Sequence, residues 1–184
     1  MNIFYLDDDP HIAAQYLHDV HVNKMLIETC QILITNNRCL GDDFSKWGDY
    51  VKYRTEPYKS THVNHPCCKW ARFSVSNYAW LLGHGEALAA EFKFRHNKKH
   101  KCEQVIRYLM SVLICNKISG PSYMTPPVLC MPQKFEVPTG IVDSYRNYYN
   151  EAKFKDKNGK RIDVWTKREK PFWWVDILEK SDML

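Results

Sequence analysis

Asp19-Val20-His21-Val22-Asn23-Lys24-Met25-Leu26-Ile27-Glu28-Thr29-Cys30-Gln31-Ile32-Leu33 carries the clearest helical pattern in the chain. Val22, Met25, Leu26, Ile32 and Leu33 fall on one arc at 100° per residue, with polar residues between them, so this is an amphipathic helix whose apolar arc faces a core. Upstream, Asp7, Asp8 or Asp9 followed by Pro10 is a helix start, with a capping carboxylate and a proline preset for the first turn. The pattern then continues to about Asn36 and predicts one long helix. Asn2 to Leu6, ahead of it, reads as a short strand.

Further along, Pro66 restarts a helix with Asn64 or His65 as cap, and Trp70, Phe73, Asn77, Trp80 and Leu81 share one face. Gly83-His84-Gly85 should interrupt or kink it before Glu86 to Arg95 resumes. Val105, Leu109, Val112 and Leu113 mark a third helix over about His100 to Cys115. Five prolines between Ile118 and Pro138 exclude helix there and make the segment extended. A last helix fits Gly140 to Phe154, and Asn158-Gly159 marks a tight turn between two basic arms. The aromatic stretch Trp165 to Trp174 should pack back on the body. The fold class is thus mainly α, a single helical bundle-like domain over residues 1–184 with a short N-terminal strand and a Pro-rich extended segment. Residues 37–64 lack a helical period and read as a candidate lid loop; residues 153–170 form a basic C-terminal arm.

Composition supports this. A chain of 184 residues, 45% hydrophobic and 14% aromatic, fills one core and is short for two. With 26% charged residues, 7 Gly and 9 Pro, disordered and collagen-like classes are excluded. No apolar run reaches the roughly 18 residues of a membrane span, and the first residues lack a basic flank with a long apolar stretch. The expectation is a cytoplasmic protein, in the host cytoplasm if viral, with no membrane partner. Seven cysteines, odd in number and without a CxxC pair, read as reduced thiols. Residues 1–64 hold 6 Lys/Arg against 9 Asp/Glu, whereas residues 65–184 hold 20 against 12. Lys93 to Lys101 and Lys153 to Lys170 concentrate the excess, with aromatics interleaved, which is the pattern of a phosphate-binding surface.

Four constellations carry candidate chemistry. His21, Lys24, Glu28 and Gln31 lie within about 80° of one helix face. Base, cation and carboxylate thus project together beside the core arc, either as a site or as a plain surface ion pair. His62, His65, Cys67 and Cys68 offer zinc-ligand types, but adjacent cysteines at a helix start point about 100° apart, so no metal or other cofactor is expected. Asn77 sits among Trp70, Phe73 and Trp80, where a buried amide either ties a loop or reads a base edge; Lys69 and Arg72 flank it. Tyr145, Arg146, Tyr148 and Tyr149 either pack or clamp a nucleotide. No Walker loop, GxGxxG, HExxH or GxSxG occurs.

Asp19-Val20-His21-Val22-Asn23-Lys24-Met25 with Glu28 and Gln31, His65-Pro66 with Trp70, Arg72, Asn77 and Trp80, His100-Lys101, Thr125-Pro126-Pro127 with Met131-Pro132, Tyr145-Arg146-Asn147-Tyr148-Tyr149, and Trp165, Arg168, Pro171 and Trp173 together resemble a family of small bacteriophage and bacterial proteins. The resemblance spans nearly the whole chain and implies no particular activity. Val20 and Asn23 depart from its first motif, where Lys and Val are usual, and Lys155 to Arg161 looks inserted. The chain is more weakly similar to the phage pyrimidine-dimer DNA glycosylase, which begins with a short strand and an Ala-Gln-rich first helix. That similarity implies attack on a sugar by the N-terminal amine, assisted by a first-helix glutamate; here Met1 precedes Asn2, so the matching amine is offset by one residue.

The expected function is a phage-type DNA-acting enzyme of the base-excision or base-modification kind. A flipped nucleotide would enter a pocket between the first helix and the Trp70 helix. Glu28 would be the acid/base or charge-stabilising carboxylate, Lys24 a nucleophile or phosphate anchor and His21 a proton shuttle. Asn77 would read the base, and Arg72, Lys101 and Arg146 would hold phosphates. Gln31, His65, Trp70, His100 and Tyr145 complete the substrate-binding set. Two alternatives stand beside it: a non-catalytic factor that binds nucleic acid or a host protein, and an enzyme acting on free nucleotides.

Overall fold

The computed structural model describes residues 2–112 and 114–176. Its helices are α1 (Pro10–Tyr16), α2 (Asp19–Cys39), α3 (Trp47–Tyr50), α4 (Pro66–Phe73), α5 (Val75–His96), α6 (Glu103–Ser111) and α7 (Ile141–Ala152), with 3-10 turns at Ile114–Lys117 and Gln133–Phe135. The long helices α2 and α5 pack on each other, and α1, α4 and α6 dress that pair. The protein is mainly α. Among the described residues no helix is long and apolar enough to cross a membrane.

The predicted continuous first helix is broken in two. Leu17 is extended, and His18 starts α2 by accepting the His21 N–H on its Nδ1 at 3.3 Å. A break leaves carbonyls at the end of α1 without helical partners, and inside a protein these must be satisfied. Arg95 of α5 does this. Its guanidinium, 2% exposed as a residue, donates to Gln15 O at 2.9 Å and Leu17 O at 2.8 Å, and pairs with Asp19 at 2.9 Å and Glu91 at 2.7 Å. Arg95 therefore belongs to the interior, not to the basic surface in which its sequence neighbours place it. Arg168 locks the second face of Glu91 with two 2.9 Å bonds, while Thr166 donates to Asp19 from its backbone and hydroxyl. Trp165 donates to Tyr16 O at 2.9 Å, so the C-terminal aromatic stretch does pack back on the body.

The second long helix also differs from expectation. The interruption falls at Ser74, whose hydroxyl accepts the Asn77 N–H and caps α5. Gly83 and Gly85 lie inside an unbroken α5. Gly85 marks a close crossing: a Cβ there would meet Ile106 Cδ1 at 2.6 Å and Thr29 Cγ2 at 3.1 Å. Asn2 to Leu6 is not a strand. Ile3, Phe4, Tyr5 and Leu6 are buried, the Ile3 and Phe4 amides bond the Asn2 side-chain oxygen, and Phe4 takes a positive φ of 43°. A lone extended segment has no ladder partner, so a side chain replaces one. The third and last helices are shorter than predicted at both ends, spanning Glu103–Ser111 and Ile141–Ala152. Residues 37–64 are seated rather than loose: 37–39 continue α2, Trp47 and Val51 are buried, and Asp42 accepts the Tyr108 hydroxyl at 2.8 Å. In the basic arm Lys155 bridges Arg161 across a turn at Gly159, whose φ is +80°.

Truncating Arg95 removes at once a partner of buried Glu91 and part-buried Asp19 and the donors of two carbonyls. Arg95→Ala is expected to cost about 3–5 kcal/mol in urea unfolding, and Arg95→Lys to recover little, because an ammonium cannot fork to all four groups. A loss below about 1 kcal/mol would show the cluster to be dispensable.

Candidate functional site

Glu28 sits midway along α2, with its carboxylate at the protein surface but its side chain only 17% exposed. Two neighbours hold it. The Asn2 backbone N–H donates to Oε2 at 3.1 Å, and Lys24 Nζ, one turn earlier, lies 3.7 Å from Oε1. Lys24 itself is largely solvent-facing. Gln31, one turn further on, is part-exposed on the same side. A carboxylate fixed by a backbone donor with an ammonium beside it is preorganised to meet positive charge developing nearby.

His65 lies next to this corner as the N-cap of α4, its Nδ1 accepting the Cys67 N–H at 3.2 Å. Burial lowers its imidazole below the ordinary range, while the negative charge of Glu28 works in the opposite direction. Beyond His65 runs a groove of about 390 Å³ walled by Pro66, Lys69, Trp70, Phe73, Pro126 and Val128. Phe73 is 56% exposed on it. The groove is mainly apolar with one lysine at its edge, which suits a flat ring carrying a phosphate. Another concavity of similar volume, between residues 41–46 and the end of α6, has its carboxylate Asp42 already committed to Tyr108, Asn37 and the Phe44 amide.

Several residues expected in the site are structural instead. His21 turns inward between Phe4 and His18, at centroid distances of 5.0 and 4.1 Å. Its Nδ1 lies within hydrogen-bond distance of the Tyr149 hydroxyl at 2.8 Å, and that hydroxyl also accepts the His18 N–H. Burial pushes His21 down to about 2, with the nearby His18 adding to the effect. It therefore stays neutral and enclosed, which removes it as a proton shuttle. Asn77 is fully buried and spends its amide on Trp70 O, Thr125 Oγ1 and the Thr125 N–H, tying the Pro-rich segment to α4 and α5 rather than reading a base.

Arg72 donates to Val63 O and Asn36 and holds the end of the 37–64 segment instead of a phosphate. Tyr145 donates to Val128 O at 2.6 Å, and Arg146 binds Leu6 O and Asp7 under the rings of Tyr16, Phe172 and Trp173, so neither clamps a ligand. Trp70 is 4% exposed with its indole N–H on Thr125 O, and contributes a wall rather than a stacking face. His100 reaches Asn23 at 3.0 Å; this brings Lys98, Lys99 and Lys101, all exposed, alongside α2 within one residue of Lys24.

The structure also gathers residues that spacing did not connect. Cys130, from the Pro-rich segment, lies with Cys67 and His65, their ligand-type atoms all within 4.8 Å of one another. Cys68, the adjacent thiol, and His62 fall outside this cluster. Asn2 joins the two corners, its side chain donating to Cys130 O at 2.7 Å. No periodicity links residues 2, 28, 67 and 130, so only the tertiary fold reveals the grouping. No protein-family model, curated protein or solved structure matches the chain.

The buried imidazoles make stability depend on pH. His18 is pushed down to about 4, His84 to about 4 and His21 to about 2, each chiefly by burial. His84 donates from Nδ1 to Pro10 O and has no partner at Nε2, so a second proton there finds no acceptor. Folded values below the unfolded 6.5 mean that the unfolded chain takes up protons first. Stability is complete above about pH 6.5 and falls below it, by roughly 1.4 kcal/mol per pH unit for each imidazole, down to about 4 for His18 and His84 and further for His21. Denaturant unfolding at pH 7, 6 and 5 is expected to show this decline; a flat profile would contradict the assignment of neutral buried histidines.

Proposed function

We propose that the protein is an enzyme acting on DNA, of the base-excision or base-modification kind, in which a nucleotide leaves the stack and enters the groove between α4 and the Pro-rich segment, beyond the His65 side of the Glu28 corner. The observation that carries this reading is the Glu28 carboxylate, fixed by the Asn2 amide and flanked by Lys24, with His65 in its electrostatic reach at the start of α4 and an apolar groove running along that helix. Cleavage of a glycosidic bond builds positive charge on the sugar, and a held carboxylate stabilises it. Phe73 and Pro126 supply the flat wall on which a base stacks. Lys24 and Lys69 border the corner as phosphate anchors, and the exposed lysines 98, 99 and 101 extend the cationic strip along α2. Gln31 takes the base-reading role that Asn77 is too enclosed to fill. The weaker similarity to the phage pyrimidine-dimer glycosylase supports the same reading through Glu28, the helix glutamate, whose carboxylate accepts the Asn2 N–H.

The test is a mass-spectrometric comparison of duplex DNA, single-stranded DNA and a nucleotide mixture before and after incubation with the wild-type protein, Glu28→Gln and Lys24→Met. The wild type is expected to release a base or leave a modified one in DNA. Glu28→Gln should lower that rate by about 100-fold or more, while its unfolding free energy moves by no more than the roughly 0.2–0.5 kcal/mol of an exposed helix pair. Conversion confined to the nucleotide mixture would replace DNA by free nucleotide as substrate. Full activity in Glu28→Gln with a marked loss of stability would reduce the pair to a structural salt bridge.

A further inference from the structure

We propose that His65, Cys67 and Cys130 form a binding site for a thiophilic divalent cation of the zinc type, with a fourth coordination position open toward solvent. This inference does not rest on the DNA-acting reading. The three side chains come from two segments 63 residues apart in sequence, yet their ligand-type atoms lie within 4.8 Å of one another, and the two sulfurs are 3.3 Å apart. A tetrahedral zinc ion, with bonds of about 2.3 Å to sulfur and 2.0–2.1 Å to nitrogen, needs its donors roughly 3.5–3.8 Å apart. Small side-chain movements therefore complete the geometry.

The backbone around the cluster is held in advance. Cys67 is in the first turn of α4, where its N–H is held by the His65 side chain. Cys130 is pinned at both peptide groups, its N–H donating to the Tyr145 hydroxyl at 3.3 Å and its carbonyl accepting from the Asn2 side chain at 2.7 Å. Cys67 is completely buried, whereas His65 and Cys130 are part-exposed. The cluster thus has a closed floor and an open side, where a water or a substrate atom would take the fourth position.

Binding is an exchange of protons for metal. In the free protein the Cys67 thiol donates to the Cys130 sulfur at 3.3 Å. Starting from two thiols, the divalent cation binds two thiolates and releases two protons, with no change in oxidation state. His65 contributes a neutral ring nitrogen. Its Nδ1 lone pair is spent on the Cys67 N–H at 3.2 Å, a long bond for a helix cap, so coordination through it trades that cap for a bond to the ion.

Reduced full-length protein is titrated with Co²⁺, whose thiolate charge-transfer and tetrahedral absorption bands report the donor set, followed by displacement with Zn²⁺ against a chromophoric chelator. One equivalent is expected, with cobalt bands that vanish on adding zinc, and Cys67→Ser, Cys130→Ser and His65→Asn should each weaken binding by about 100-fold or more. His65→Asn keeps a side chain able to cap α4. Cys39→Ser, at an exposed thiol outside the cluster, should change nothing. Should a cysteine variant unfold, wild-type protein is alkylated with and without Zn²⁺ and digested: zinc must protect Cys67 and Cys130 and leave Cys39 reactive. Absence of thiolate bands in the reduced wild type, bands that survive in folded Cys67→Ser and Cys130→Ser, or alkylation indifferent to zinc overturns the proposal. A Cys67–Cys130 disulfide that re-forms in air, with no metal uptake after reduction, overturns it in favour of a redox pair.

Discussion

The Arg95 guanidinium is the constraint around which the molecule is arranged. It reaches the end of α1, the first residue of α2 and its own α5 at once, and through Glu91 and Asp19 it recruits Arg168 and Thr166 from the C-terminal stretch. A buried arginine is costly to desolvate, and it is tolerated here because two carboxylates and two carbonyls meet it. Its placement fixes where α2 begins and how it is rotated. Val22, Met25 and Leu26 are therefore buried while Lys24, Glu28 and Gln31 border the surface. The candidate corner is a consequence of that rotation, completed when the buried segment from Ile3 to Leu6 carries Asn2 across to Glu28.

What the sequence discloses and what it hides follow physical lines. The amphipathic arc of α2, the proline starts of α1 and α4 and the extended Pro-rich stretch are local properties and are legible residue by residue. The two helix breaks are not. At Leu17 and Ser74 the interruption depends on a distant guanidinium or a side-chain cap competing with helix continuation, whereas Gly83 and Gly85, the glycines that signal a break, lie inside α5, and Gly85 serves a close helix crossing. Asn2 to Leu6 has the apolar, aromatic composition of a short strand, but among the described residues no second strand pairs with it.

The site follows the same division. Lys24, Glu28 and Gln31 were visible because one helix carries all three. Arg72, Asn77, Tyr145 and Arg146 have the residue types of ligand-binding groups, and each is consumed by a backbone carbonyl or a neighbouring loop. Long polar side chains near a core are drawn into satisfying it, and spacing cannot show which carbonyls need them. Cys130 escaped notice for the converse reason: it lies in an extended segment whose path across α4 and α7 is set by Asn77 and Tyr145.

In the proposed function, the groove beside the Glu28 corner receives a nucleotide from DNA. Photo-crosslinking a duplex substituted with 5-iodouracil, followed by peptide mapping, tests it most directly. Crosslinks are expected to concentrate at Phe73 and Pro126 and in the segments 24–31 and 64–70, and to be lost under excess unlabelled DNA. Crosslinks confined to the 153–170 arm, or to the face of α5 around Glu86 and Ala90, would contradict it.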